Sequence, residues 1–134
     1  MQRKKGFTLI ELMLVVIIIG ILVAMVTPRL TGRSEEARIK VARADIDSSL
    51  ATALKLYELD NGRFPTSDEG LGALLDSPPS AVNWKGPYLE KKPVDPWGNE
   101  YRYRYPGTHR TYGFDLYSVG SDGVESEDDV ANWD

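Results

Sequence analysis

Cysteine is absent from the 134 residues, and histidine occurs once, at position 109. The first absence excludes disulfides, thiolate metal centres and a cysteine nucleophile; the second leaves His109 without a companion at metal spacing, as expected of a solvated loop residue. No Gly-rich phosphate loop is present and no nucleophile and base arrangement stands out, so catalysis is not expected. Charge is missing in places as well. Between Glu11 and Arg29 there is no charged residue, and from Asp115 onward seven acids face no base. An acidic C-terminal end argues against a nucleic-acid surface.

What is present begins with a polarity. Up to Arg33 there are five basic residues and one acid, within a net charge of -4. Phe7 to Val26 is an apolar run of twenty residues carrying one carboxylate, Glu11. As a helix it extends about 30 Å, the thickness of a bilayer's hydrocarbon core. Arg3, Lys4 and Lys5 place the N-terminus in the cytoplasm and everything after Val26 outside. A cleaved secretory signal has a shorter apolar region, roughly 7 to 15 residues, with its small residues after the run; here Gly6 stands before it. A plain signal anchor remains as an alternative and leaves Glu11 unexplained. An ionisable group at mid-membrane costs about 2.5 to 3.5 kcal/mol on insertion scales, somewhat less near an end, so Glu11 is a functional candidate. Something must pair with it.

Beyond the run, Pro28 and Gly32 predict a kink or melted turn. Ile39, Ala42, Ile46, Leu50, Ala53 and Tyr57 then mark one apolar stripe on a helix that ends at Asn61-Gly62. Residues 7–60 thus read as one interrupted helix roughly 80 Å long, with 7–26 in the membrane and 27–60 as a stem. Residues 61–134 read as a head of short elements. Thr66, Ser67 and Asp68 cap a small helix bearing Leu71, Leu74 and Leu75, and turn residues dominate from Ser77 to Asn99. Tyr101, Tyr103 and Tyr105 alternate with Arg102 and Arg104 at strand period, and Phe114 to Val119 is the hairpin partner across Pro106-Gly107. Interleaved Tyr and Arg also suit base stacking, but the acidic head favours an amphipathic strand.

The string Lys5-Gly6-Phe7-Thr8-Leu9-Ile10-Glu11 resembles the class III signal of type IV pilins and pseudopilins. The resemblance implies that a prepilin peptidase removes residues 1–6 by cutting between Gly6 and Phe7, and N-methylates Phe7. Cleavage creates an α-amino group whose ordinary pKa is near 8. In a filament that cation can sit beside Glu11 of a neighbouring subunit, so two charges that are costly in lipid neutralise each other only on assembly. A partly hydrated carboxylate, or one bonded within its own chain, is the structural alternative.

The head is similar to the pseudopilins of the type II secretion system, through NGRFPTSDEGLGALL, NWKGPYLEKKPVDPWGN and YSVGSDG with its acidic tail. That similarity implies an α+β fold, with a long N-terminal α-helix packed on a small head that holds a short antiparallel sheet and a C-terminal metal-binding loop. By composition alone, residues 119–129 are as well described as a solvated acidic tail as a metal site. The resemblance implies calcium, with Asp122, Asp128 and Asp129 and the backbone carbonyl of Val119 as ligands, and leaves Glu125 and Glu127 unassigned. Calcium takes hard oxygen donors in flexible geometry, and here it would staple a head that has no disulfide.

The implied function is a structural, non-enzymatic subunit stored in the bacterial inner membrane as a single-pass protein with a periplasmic head. It polymerises with itself into a periplasmic pseudopilus. The implied partners are the prepilin peptidase, minor pseudopilins, the inner-membrane assembly platform and, before assembly, the membrane, with no nucleic acid. A type IV pilin for adhesion, motility or DNA uptake shares the same N-terminal logic, and a membrane-tethered calcium-binding module that never polymerises is the rival from another class.

Overall fold

The computed structural model describes residues 2–26 and 32–134; residue 1 and the side chains of residues 27–31 lie outside the described residues. Two units form. The first covers the chain to Ala37 and the second runs from Arg38 to Asp134.

In the first unit, residues 2–8 are non-helical and exposed. Helix α1, Leu9–Ala44, then begins. Its start has a local cause: the Thr8 side-chain oxygen accepts the Glu11 N–H at 3.3 Å, and the Thr8 carbonyl accepts Leu12 N–H at 3.2 Å. Thr8 is therefore a hydroxyl cap satisfying one of the helix's orphan donors. From Leu9 to Val26 the mean hydropathy is 3.1, and none of this window is buried within the chain. The helix is long and apolar enough to cross a membrane. The interruption expected at Pro28 lies outside the described residues, whereas Gly32 lies inside α1.

The second unit opens on the last turns of α1. A π-helical segment, Asp45–Leu50, and helix α2, Ala51–Asn61, follow without a break. The π segment was not expected, and the apolar stripe explains it. Ala42, Ile46 and Leu50 are two successive four-residue steps, and eight residues at about 100° each overshoot two turns by about 80°. A wider turn takes up that excess, and all three side chains stay buried with Ala53, Leu54 and Tyr57. Ile39, the first residue of the expected stripe, is exposed. The helix ends as the sequence predicts: Gly62 takes φ 77° and donates its N–H to the Glu58 carbonyl at 2.7 Å.

The stripe packs on a three-stranded antiparallel sheet in the order β1-β2-β3. Strand β1 is Arg102–Arg104, β2 is Asp115–Ser118 and β3 is Val130–Ala131. Tyr103 stands opposite Leu116, and Ser118 opposite Val130. The core joins Ile46, Leu50, Leu54 and Tyr57 to Leu74, Tyr101, Phe114, Leu116 and Val130. Each large side chain buried there contributes about 1.5–3 kcal/mol. Three tyrosine hydroxyls then pin the loops: Tyr88 to Asp60 and Tyr101 to Asp45, each at 2.7 Å, and Tyr103 to the Pro65 carbonyl at 2.7 Å. The short helix after the Thr66 cap is a 3-10 turn, Gly70–Leu74, closed by a capping box in which Thr66 and Glu69 bond each other's N–H.

The antiparallel hairpin between residues 101–105 and 114–119 matches expectation. Strand β3 does not: residues 130–131 return to the sheet and close the acidic loop at its base.

Candidate functional site

Two regions carry the residues of interest, one in each unit. In the first, the Gly6–Phe7 bond lies in exposed, non-helical chain, and a Cβ built on Gly6 would meet nothing within 4 Å. A protease needs a segment free of helix that enters its cleft, and residues 2–8, non-helical and exposed, supply one at the Thr8 cap. Glu11 sits in the first turn of α1 and is exposed. That position has a physical advantage, since the positive end of the helix dipole lowers the cost of a carboxylate within the first turn.

In the second unit the acidic loop runs from β2 to β3. It opens with Val119 and a 3-10 turn, Gly120–Asp122, and passes through Gly123 in the left-handed region at φ 70°. Ser126 organises the rest. Its Oγ lies 3.3 Å from Asp122 Oδ2 and 3.4 Å from Asp129 Oδ1, and also bonds Asp128 Oδ1. Its N–H donates to Asp129 Oδ2 at 3.2 Å. Three aspartates expected to act together are therefore gathered on one hydroxyl. Burial pushes the Asp129 carboxyl up, as do the charges of Asp122 and Asp128, against hydrogen bonds from Ser126 that favour ionisation. Such a group is one that a cation would stabilise.

In kind, the donor set fits calcium: every donor is a hard oxygen. In arrangement, the aspartates converge on the Ser126 hydroxyl, and among the described residues no three His, Asp or Glu side chains surround a common point. Glu125 faces elsewhere, bonded to the Tyr117 hydroxyl. Beneath the loop, Asp95 is buried and takes N–H groups from Trp97 at 3.1 Å and Asn99 at 2.8 Å, with the Ser118 hydroxyl at 2.6 Å. The DPWGN turn is thereby fastened to the first residues of the loop. Sequence reasoning missed this, although Asp-Pro-Trp-Gly-Asn marked the turn.

His109 is not merely solvated. Its ring stacks on Trp133 with centroids 3.9 Å apart, and its Nδ1 lies 3.2 Å from Asp115 Oδ2. Thr108 Oγ1 is also near, which gives a hydroxyl, an imidazole and a buried carboxylate in one place. They do not form a triad: Thr108 Oγ1 and Asp115 approach the same ring nitrogen, and the hydroxyl itself donates to Asp115 at 3.0 Å. A relay needs nucleophile and carboxylate on opposite nitrogens. Asp115 instead holds the 107–113 loop, accepting N–H from Thr108, His109 and Arg110. Burial alone would raise its pKa, but these hydrogen bonds win and hold the carboxyl well below the usual range.

With this geometry established, comparison decides the family. Residues 29–133 match the family model described as type II secretion system protein G, and residues 1–27 match the prokaryotic N-terminal methylation motif. The chain belongs to the protein G family of the type II secretion system. Type II secretion system core protein G of Pseudomonas aeruginosa is 49% identical, with the match covering 100% of this chain and 99% of that protein. The protein of the same name from Klebsiella pneumoniae is 44% identical, over 99% of this chain and 96% of its own length. Among solved structures, the major pseudopilin from the type 2 secretion system of enterohaemorrhagic Escherichia coli is similar at a TM-score of 0.70 and 37% identity, covering 78% of this chain and 89% of that one. Gly6, Phe7 and Glu11 fall within the residues matched to the methylation motif, while the acidic loop falls within those matched to protein G.

Proposed function

We propose that this chain is a structural subunit of the type II secretion pseudopilus, stored in the inner membrane with its N-terminus in the cytoplasm and its head in the periplasm. The observation that carries the reading is the order of three features along one segment. An exposed Gly6–Phe7 bond is followed by the Thr8 cap and then by Glu11, in the first turn of an unburied apolar helix. Prepilin peptidase cleaves between Gly6 and Phe7 and methylates Phe7. The new ammonium group then pairs with Glu11 of the adjacent subunit as helices leave the bilayer for the filament core. The assembly platform and minor pseudopilins are the partners of that transfer, and growth at the base drives folded proteins through the outer membrane. The match of residues 29–133 to protein G favours this reading over a type IV pilin, which shares only the N-terminal logic.

The acidic loop is proposed to hold calcium through Asp122, Asp128 and Asp129 and the Val119 carbonyl. The cation neutralises the gathered carboxylates and supplies, in place of a disulfide, a link across the loop between β2 and β3.

Glu11→Ala tests the assembly mechanism. The variant is expected to be cleaved and methylated normally, as read by mass spectrometry, and to form few filaments when neighbouring membrane segments are cross-linked through introduced cysteines. The native chain has none to interfere. Wild-type cross-linking in Glu11→Ala contradicts the pairing.

A further inference from the structure

The loop between β1 and β2 is held more tightly than a surface connection needs. Gly107 N–H bonds the Gly113 carbonyl across its neck at 2.9 Å, and Gly113 N–H bonds the Arg110 carbonyl at 3.0 Å. Asp115, a buried carboxylate, accepts three further N–H groups of the loop, and a Cβ built on Gly107 would collide with that carboxylate and with the Arg110 carbonyl. Burying an acid is costly, and the N–H groups of an exposed turn can bond water instead. What this closed loop carries at its apex is Tyr112, fully exposed and, among the described residues, without a hydrogen-bond or ring partner. Two residues before it, Arg110 turns its backbone groups into the loop, while its side chain is exposed and has no partner acid among the described residues. A rigidly held tyrosine near an arginine suits a binding anchor, because the cost of ordering the loop is met before contact.

Another surface of the same unit lacks what that anchor has. Leu56 and Leu59, three residues apart on α2, share an exposed face, and Leu59 is 79% exposed. The Asn83 N–H bonds Asn61 Oδ1 at 3.1 Å, which brings Val82, 90% exposed, to the same end of the helix. Large apolar side chains gathered in solvent in this way mark contact surfaces. The charge here is also out of place. The last turn of α2 has no basic residue and carries Glu58 and Asp60 at the negative end of the helix dipole, where cations are favoured. Asp60 accepts the Tyr88 hydroxyl, Lys55 lies before this turn, and Arg63 beyond it is taken by Glu69. Glu58 is left exposed, with no cation among the described residues.

We propose that the 107–113 loop of one copy docks on the Leu56, Leu59 and Val82 surface of a second copy, with Tyr112 laid on the leucines and Arg110 paired with Glu58 at the helix end. The proposal rests on the pseudopilus reading above and names a contact between its heads. Both surfaces stay exposed in a single copy, so neither is used up within it. The loop of one copy meets the helix of the next, which makes the contact heterologous; such a contact extends into a helical fibre when its rotation does not close.

The experiment uses the full chain assembling in its host's membrane. The native chain has no cysteine, so Thr111→Cys and Val82→Cys are introduced at the rim of the contact, singly and together, and the thiols are oxidised before the products are separated by size. The chain carrying both substitutions is expected to give a ladder of cross-linked multimers. An equal mixture of the two singly substituted chains gives dimers, and neither gives them alone. Tyr112→Ala, added to the doubly substituted chain, is expected to cut the cross-linked yield about tenfold, as loss of a central anchor does. Arg110→Glu or Glu58→Arg lowers the yield as well, and the two together restore it, a rescue that loss of folding does not give. Absence of the ladder, while cysteines introduced in the membrane segments still cross-link, overturns the docking and leaves the pseudopilus reading standing. Dimers from either singly substituted chain alone overturn the heterologous geometry. Absence of cross-linking at both places overturns the docking and the pseudopilus reading together.

Discussion

Glu69 offers the clearest quantitative test of what holds the head together. Its carboxylate receives both arms of the Arg63 guanidinium at 2.9 Å, the Thr66 N–H at 2.8 Å and the Ser80 hydroxyl. The side chain is only 13% exposed, so solvent screens these bonds little. The Arg63 bonds hold its pKa down to about 2 from 4.5, with Ser80 and Thr66 adding to them and burial opposing. That depression corresponds to about 3 kcal/mol in favour of the ionised, folded form. Because the folded pKa lies below the unfolded one, the stabilisation is fully present above pH 4.5 and is lost as pH falls toward 2. Glu69→Gln keeps the shape and removes the charge. It should cost about 2–3 kcal/mol at pH 7, with the fall in melting temperature on the order of 10 °C for a head of this size. The deficit relative to the native chain should shrink to under about 1 kcal/mol near pH 2, where the native carboxylate is itself protonated. Near-UV circular dichroism of the full chain in micelles reads both values. An equal deficit at pH 7 and pH 2 refutes the electrostatic account and assigns the loss to packing.

Asp115→Asn should destabilise the head by about 3 kcal/mol, because an amide N–H₂ then faces backbone donors that now point at a carboxylate. Hydrogen exchange should accelerate first at Thr108, His109 and Arg110, and unchanged protection there counts against the anchoring role. Excess calcium should raise the melting temperature of the native chain, and Asp122→Ala should abolish the increase; identical melting curves in chelator and in calcium contradict the ion site.

Much of this was legible in the sequence because the signals were local. The apolar run, the Asn61-Gly62 stop and the Tyr/Arg alternation each depend on neighbours within a turn or a strand. The family resemblance, carried by motifs at both ends, supplied the fold. Four features escaped. The π segment is a response of the helix to packing Ala42, Ile46 and Leu50 on one sheet, so it shows only as a double four-residue step. Strand β3 is two residues long, and nothing in Val130-Ala131 signals pairing until β2 is beside it. The Asp95 latch joins residues 23 apart in sequence, and the Asp115 clamp likewise exists only once the 107–113 loop has closed. Non-local hydrogen bonds of buried acids leave little trace in a single sequence.

By its proposed function, this chain assembles into a fibre on which protein export depends. Deleting it from its host and locating secreted proteins tests that claim directly. Exported enzymes should accumulate in the periplasm of the deletion strain, return to the medium when the native chain is restored, and stay trapped when Glu11→Ala is supplied instead. Normal secretion in the deletion strain, with surface fibres lost, contradicts the account and gives the chain to an adhesive or motility pilus.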